Sequence, residues 1–190
     1  VLGEGLLTPL GVDAAFGPGS VEHTQLLAPL YQGGGVSRTV CEMLGYVCYP
    51  QPGYRGNFFA GGFTCSAGDM AQLTALLARD GEYQGEQLLS PEAVAYLETP
   101  LEQPVTYKES TFCQCRPLRL QYGMYGREAI YYHTGSAYGF YGLLSYDPAT
   151  GDGVVVFTTG ADGVTDEYGV YAVCGEIARA VYSPAQEGGI

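Results

Sequence analysis

Apolar positions along the chain fall into two regimes. Between residues 66 and 100 they recur at helical spacing. Met70, Leu73, Leu76 and Leu77 share one helical face, and Ser66 followed three residues later by Asp69 forms a capping-box pattern ahead of them. Gly81 ends that run, so the spacing predicts a short helix over about 67–80. A second helix is predicted from Ser90-Pro91-Glu92, which supplies an N-cap, a proline at the first helical position and an acid at the positive end of the dipole. It should stop near Thr99-Pro100.

From about residue 120 the regime changes to strands. Residues 121–125 and 128–133 are rich in Tyr and Ile, and 140–146 is a further apolar run. Asp147-Pro148-Ala149-Thr150-Gly151-Asp152-Gly153 then reads as a turn into Val154–Thr158, giving an antiparallel hairpin. The unbroken Val154–Phe157 run predicts a strand covered on both faces. A last helix is expected to start near Asp166 and to turn Val170, Val173, Cys174, Ile177 and Val181 toward the core. Residues 33–57, broken by Gly33-Gly34-Gly35, Pro50, Pro52 and Gly53, read as irregular. Residues 101–119, with Pro104, Pro117 and two close cysteines, read as a long connection. The fold class is therefore mixed α/β: an irregular and helical part over 1–119, then antiparallel strands and a covering helix over 120–190. Together these read as one incomplete domain.

Size is consistent with that organisation, since 190 residues, 46% of them hydrophobic, suffice for a single core. The formal charge of −12 would repel a polyanion, which argues against nucleic acid and anionic membrane surfaces as partners. No apolar run approaches the ~18 residues of a membrane span. The start, Val1-Leu2-Gly3-Glu4-Gly5-Leu6-Leu7, has neither an initiator Met nor the basic region of a signal peptide, and it reads as a cut into a longer protein. The six cysteines are Cys41, Cys48, Cys65, Cys113, Cys115 and Cys174. Free thiols, disulfides joining the Cys113/Cys115 pair to the Cys41/Cys48 loop, and a metal site all remain open.

Three stretches, in order, resemble the C-terminal part of the serine β-lactamase and penicillin-binding-protein family, including its class C β-lactamase, DD-peptidase and esterase members. Leu7-Thr8-Pro9-Leu10-Gly11-Val12 is similar to the family's PLGM segment. Ala60-Gly61-Gly62-Phe63-Thr64-Cys65-Ser66-Ala67-Gly68-Asp69-Met70-Ala71, with Leu88-Leu89-Ser90-Pro91-Glu92 after it, resembles the family's AGGL helix and LLSPE segment. Tyr122-Gly123-Met124, His133-Thr134-Gly135-Ser136, Gly139-Phe140, Tyr146-Asp147-Pro148 with Gly151, and the Val154–Thr158 strand follow the family's YGLG, H/K-T-G, GF, YDP and VVVLTN series.

The resemblance implies acyl transfer through a serine ester. It also implies that the H-T-G segment lies on an edge strand forming one wall of the cleft. On that wall the backbone N–H of Ser136 is one of two oxyanion donors. Thr134 offers a hydroxyl to a substrate carboxylate or amide. Gly135 lets the substrate backbone approach. His133 stands where the commoner form has Lys, so its charge varies with pH. Taken without the resemblance, His133 reads as a partly exposed strand histidine bonded to a carbonyl.

Departures from the family matter equally. The only lysine is Lys108 and the only asparagine is Asn57. Hence neither the S-x-x-K nucleophile motif nor the Y/S-x-N motif is present, and both are expected on an N-terminal segment missing from this chain. The expected partners are that segment, a small-molecule or peptidoglycan-type substrate (a D-Ala-D-Ala stem, a β-lactam or a small ester, with peptidase or esterase favoured by H-T-G), and a second copy meeting this one through an exposed sheet edge. No metal or organic cofactor is implied. An extracytoplasmic bacterial location is implied by the resemblance alone. A noncatalytic binding module is the alternative. His23 reads as a surface residue and Ser66 as a cap. Gly33–Gly35 do not form a phosphate loop, and Tyr131, Tyr132, Tyr138 and Tyr141 read as strand packing more than as ligand contacts.

Overall fold

The computed structural model describes residues 2–45, 61–101, 103–107 and 110–183. Cys48, Asn57 and Lys108 lie outside the described residues. Three small antiparallel pairs come first: β1 (Ala15–Phe16) with β4 (Phe63–Thr64), β2 (Leu30–Gln32) with β3 (Gly35–Arg38), and β5 (Glu82–Tyr83) with β6 (Glu86–Gln87). The main sheet then runs in chain order through β7 (Pro104–Tyr107), β8 (Ser110–Gln114), β9 (Arg119–Tyr122), β10 (Ala129–Ala137), β11 (Phe140–Tyr146) and β12 (Gly153–Thr159). Every pairing in it is antiparallel.

Helices α1 (Ala67–Leu77) and α2 (Pro91–Glu98) form where local signals place them. Ser66 Oγ accepts from the Asp69 N–H at 3.0 Å, and the Asp69 carboxylate accepts from the Ser66 hydroxyl at 2.7 Å. That reciprocal cap accounts for Ser66 fully. Ser90 likewise accepts from the Ala93 N–H at 3.2 Å.

The sheet has a core on each face. On one side Ile130, Tyr132, Leu143, Val154 and Val156 pack against α3 (Ala172–Tyr182). On the other side Tyr146, Leu120 and Leu144 pack with Cys115, Leu118 and the C-terminal end of α1. As the Val154–Phe157 run predicts, β12 has a helix over each face.

Four expectations need correction. The stretch 101–119 is not a bare connection, because β7 and β8 lie within it and extend the sheet. Val105-Thr106-Tyr107 and Thr111-Phe112 have strong strand preference, and Pro104 is tolerated as the first residue of a strand at the sheet's edge. Residues 30–38 form a hairpin where irregular chain was expected from Gly33. Gly33 and Gly34 take φ of 59° and 81°, the left-handed pair a two-residue turn requires. The strand expected over 121–125 stops at Tyr122, because Gly123 is left-handed and opens a single tight turn.

The last helix begins at Ala172 and not near Asp166. Asp166 instead caps the loop before it: its carboxylate accepts from the N–H groups of Tyr168 and Val170 at 3.0 Å and from the Tyr125 hydroxyl at 2.6 Å. Of the expected inward residues, Val170 and Cys174 are buried and Val173 packs on the core, but beyond them the buried face runs through Gly175, Ala178 and Tyr182, leaving Ile177 and Val181 44% and 55% exposed. Small residues let the helix sit close. A Cβ on Gly175 would collide with Asp166 Oδ2 and the Tyr125 hydroxyl.

Candidate functional site

Strand β10 has two unequal halves. Ala129–Tyr132 is flanked on both sides, by β9 through Ala129↔Tyr122 to Tyr132↔Arg119 and by β11 from Tyr131 onward. From His133 to Ala137 the strand pairs, among the described residues, with β11 alone, through His133↔Leu144, Thr134↔Leu143, Gly135↔Gly142, Ser136↔Tyr141 and Ala137↔Phe140. The expected edge strand is thus interior to the sheet over its first half and open only over its second. The run Arg119–Tyr122 is too short to follow β10 further, since Pro117 interrupts the chain just before it.

Alternation sets which side chains share a face of that open half. Thr134 and Ser136 continue the face of buried Tyr132, beneath α3. His133 and Gly135 lie on the α1 face with Leu144, Gly142 and Phe140. The Phe140 ring closes the space left by the two facing glycines: it lies 3.7 Å from where a Gly135 Cβ would stand and packs edge-on against Phe157 at 5.3 Å. The backbone at Gly135 therefore lies bare along the open edge above an aromatic floor.

Around Thr134 the charge is positive. Arg119 Nη1 donates to Thr134 Oγ1 at 3.4 Å, and its guanidinium lies 4.5 Å above the Phe112 ring, 5.9 Å from Tyr132 and 5.8 Å from Tyr107. Among the described residues its partners are a hydroxyl and aromatic faces, with no carboxylate. An Arg held on aromatic rings beside a hydroxyl is ready to take a planar anion bidentately.

His133 is exposed, and among the described residues its ring nitrogens have no hydrogen-bond partner. It is therefore not the carbonyl-bonded strand histidine that its residue type alone suggests. The protein crowding its flanks desolvates the imidazole and, with the positive Arg119, pushes its pKa below the usual histidine value. At neutral pH it is an uncharged ring able to donate and accept, and not a stand-in for a lysine cation.

The far end of the open half is fastened by β2. Tyr138 and Gly139 make the β10–β11 turn with φ of 54° and 81°. A Cβ on Gly139 would strike the Tyr31 carbonyl oxygen, so β2 lies directly on the turn. The Tyr31 N–H donates to Thr159 Oγ1 at 2.6 Å, and the Arg38 guanidinium lies 4.1 Å over the Tyr138 ring. Of the four tyrosines singled out from sequence, Tyr132 and Tyr141 are buried and Tyr131 stacks on Tyr146. Only Tyr138 stands beside the open edge, 55% exposed.

The other sequence candidates lie apart. The Asp13 carboxylate accepts from the N–H groups of Glu22 and His23 at 2.7 and 2.8 Å and meets His23 Nδ1 at 2.9 Å, an exposed loop clasp. Cys41, Cys65, Cys113, Cys115 and Cys174 are free thiols, and burial pushes Cys65, Cys115 and Cys174 up to about 11. No group of three or more His, Cys, Asp or Glu is arranged to hold a metal among the described residues.

Two solved structures resemble this arrangement along nearly its whole length. An octameric penicillin-binding protein homologue from Pyrococcus abyssi matches 95% of the chain with a TM-score of 0.64 at 19% identity. A penicillin-binding protein homologue from Caulobacter crescentus matches 94% with a TM-score of 0.55 at 17% identity. This chain has a penicillin-binding-protein-like fold. It accounts for 36% and 51% of the lengths of those two proteins, so the penicillin-binding-protein-like unit described here is one part of such a fold. No protein-family model matches the chain, and no curated protein matches it by sequence.

Arg119 is the candidate residue beside Thr134 that sequence reasoning missed. Its signal was an arginine alternating with Leu120 in a strand-forming run, which has no meaning until β9 is laid beside β10.

Proposed function

We propose that this chain forms one wall of the acyl-transfer site of a serine hydrolase of the penicillin-binding-protein type. The nucleophile, an S-x-x-K serine, comes from polypeptide outside the 190 residues. The observation that carries the reading is the half-open β10. Among the described residues, five residues of strand are free on one side and carry a glycine with a bare backbone, and a cation without a carboxylate partner stands at Thr134. An extended peptide can lie along that edge as an added strand. Its terminal carboxylate then meets Arg119 and the Thr134 hydroxyl. Its carbonyl comes beside the Ser136 N–H, which stabilises the oxyanion that forms when the serine hydroxyl adds. Neutral His133 bonds to the substrate or to the incoming segment without adding a charge. The uncompensated guanidinium favours carboxylate-bearing substrates, an acyl-D-Ala-D-Ala peptide foremost, over neutral esters.

Joining the chain to a segment bearing S-x-x-K and following peptide turnover tests this. Arg119→Ala is expected to raise KM about tenfold or more with a smaller effect on kcat, the loss of one charge-assisted bond. His133→Ala is expected to flatten the pH dependence between about pH 5 and 8, and turnover unchanged across that range would remove His133 from the site. The lack of any S-x-x-K in this sequence favours a second reading, a binding module that keeps the wall and no chemistry. It predicts peptide binding with no turnover even after the segment is joined.

A further inference from the structure

The open half of β10 has a cation at each end. At one end Arg119 Nη1 donates to Thr134 Oγ1 at 3.4 Å. At the other, Arg38 is the last residue of β3, and its guanidinium lies 4.1 Å over the Tyr138 ring at the β10–β11 turn. Thr134 and Tyr138 are four positions apart, about 13 Å along a strand. The chain has 20 Asp and Glu against 8 Lys and Arg, so cations at both ends of one short edge run against its composition.

Neither guanidinium meets a carboxylate. Among the described residues the ion pairs are made by His23, Arg127 and Arg179. Arg38 Nη1 donates to the Ser37 carbonyl at 2.8 Å, which uses one of its five donors. Glu42 lies close enough to feel the Arg38 charge. Its Oε2, however, accepts from the Thr39 N–H at 2.7 Å and the Thr39 hydroxyl at 2.9 Å, as part of the cap of the short helix Val40–Leu44. Stacking on a ring marks no site by itself: Arg116 lies 3.4 Å over Tyr96 of α2 and is tied there by the Tyr96 carbonyl. Position sets Arg38 apart. Its hairpin is fixed to the β10–β11 turn by the Tyr31 contacts with Thr159 and Gly139, so the guanidinium is held beside the end of the open edge.

We propose that this edge reads a peptide with two carboxylates, the terminal one at Arg119 and Thr134 and a second, on the fourth residue from the C-terminus, at Arg38. The inference rests on the acyl-transfer wall proposed above and names the kind of acyl chain that wall takes. The spacing follows from strand geometry. A peptide added antiparallel along β10 with its last residue beside Thr134 sets its penultimate carbonyl by Ser136 and its fourth residue beside Tyr138. A side-chain carboxylate there meets the planar fork of Arg38, which suits it bidentately. The net charge of −12 disfavours the more acidic of two peptides at long range. A preference for that peptide therefore has the local arginines as its source.

Calorimetric titration of the 190-residue chain with acyl pentapeptides ending in D-Ala-D-Ala tests the proposal. A peptide with Glu as the fourth residue from the C-terminus is expected to bind about fivefold more tightly than its Gln counterpart, the scale of a partly exposed charge pair. Arg38→Ala should bring that ratio close to one, whereas Arg119→Ala should weaken both peptides. Moving the Glu to the fifth residue should lower the preference in the parent chain, a check that needs no variant. Equal binding of the Glu and Gln peptides, or a preference that Arg38→Ala leaves intact, would overturn the second carboxylate and leave the wall itself standing. So would a preference lost once a segment bearing S-x-x-K is joined, because Arg38 would then be paired by that segment. Binding of neither peptide would remove both the wall and its second carboxylate.

Discussion

The two halves of β10 share a strand and differ in almost everything else. Ala129–Tyr132 lies between β9 and β11, and its Ile130 and Tyr132 are fully buried against α3. His133–Ala137 has, among the described residues, a neighbour on one side only and exposes His133, Ser136 and Ala137. The first half supplies rigidity and the second supplies reach. The binding wall proposed for this strand needs both, because the buried half fixes the position and direction of the open half. That division locates where substitutions should cost stability and where they should cost binding.

The largest expected stability effect falls in the paired half. Ile130→Ala removes a fully buried side chain from the α3 core and should cost about 3 kcal/mol in urea unfolding. A loss under about 1 kcal/mol would mean the first half is no better anchored than the second. Gly139→Ala comes next. It places a Cβ at a φ of 81° against the Tyr31 carbonyl, so it should cost more than about 1 kcal/mol and release β2 from the turn. Loss of amide protection at Tyr31 and Gly160 would report that release.

The pH effect of His133 is smaller and has a definite sign. Its folded-state pKa is lowered below the usual value of 6.5, so below that value the unfolded chain binds more protons than the folded one. Stability is intact above the unfolded pKa and is lost as pH falls through it toward the folded pKa. His133→Gln, which cannot titrate, should therefore gain on the parent in chemical-denaturation midpoints as pH drops from about 7 to 5. A constant difference over that interval would contradict the crowding assigned to His133. The smallest stability effect is expected at Gly135→Ala. The Phe140 ring at 3.7 Å from the new Cβ is an ordinary contact, so unfolding should change by no more than about 0.5 kcal/mol. Peptide binding should nevertheless weaken, because the methyl group narrows the approach to the edge.

Some of this was legible in the sequence and some could not have been. Helices α1 and α2 were readable because their signals are local: Ser66 with Asp69, and Ser90 with Pro91, act within one turn of the residues they cap. The β11–β12 hairpin was readable for the same reason. Strands β7 and β8 were hidden by Pro104, Pro117 and the Cys113/Cys115 pair, whose turn-like look outweighed five strand-forming residues. The inward face of α3 was read correctly at Cys174 and Val173 but not beyond, because hydrophobicity points to Ile177 and Val181 while close packing prefers Gly175 and Ala178. At the candidate site, His133-Thr134-Gly135-Ser136 stood out only through its resemblance to a family motif. Arg119 was beyond reach because its hydroxyl partner is fifteen residues away and is brought close by strand pairing alone. That the positive charge of Arg119 helps lower the His133 pKa follows from the same pairing.

The most direct measurement for the central claim is titration of an acyl-D-Ala-D-Ala peptide into the isotopically labelled chain, followed by backbone and arginine side-chain NMR. The account predicts shifts concentrated at Thr134, Gly135, Ser136, Ala137 and the Arg119 guanidinium, and their loss in Arg119→Ala while Ile130 and Tyr132 stay fixed. Shifts confined to another face, or the same shifts in Arg119→Ala, would contradict it.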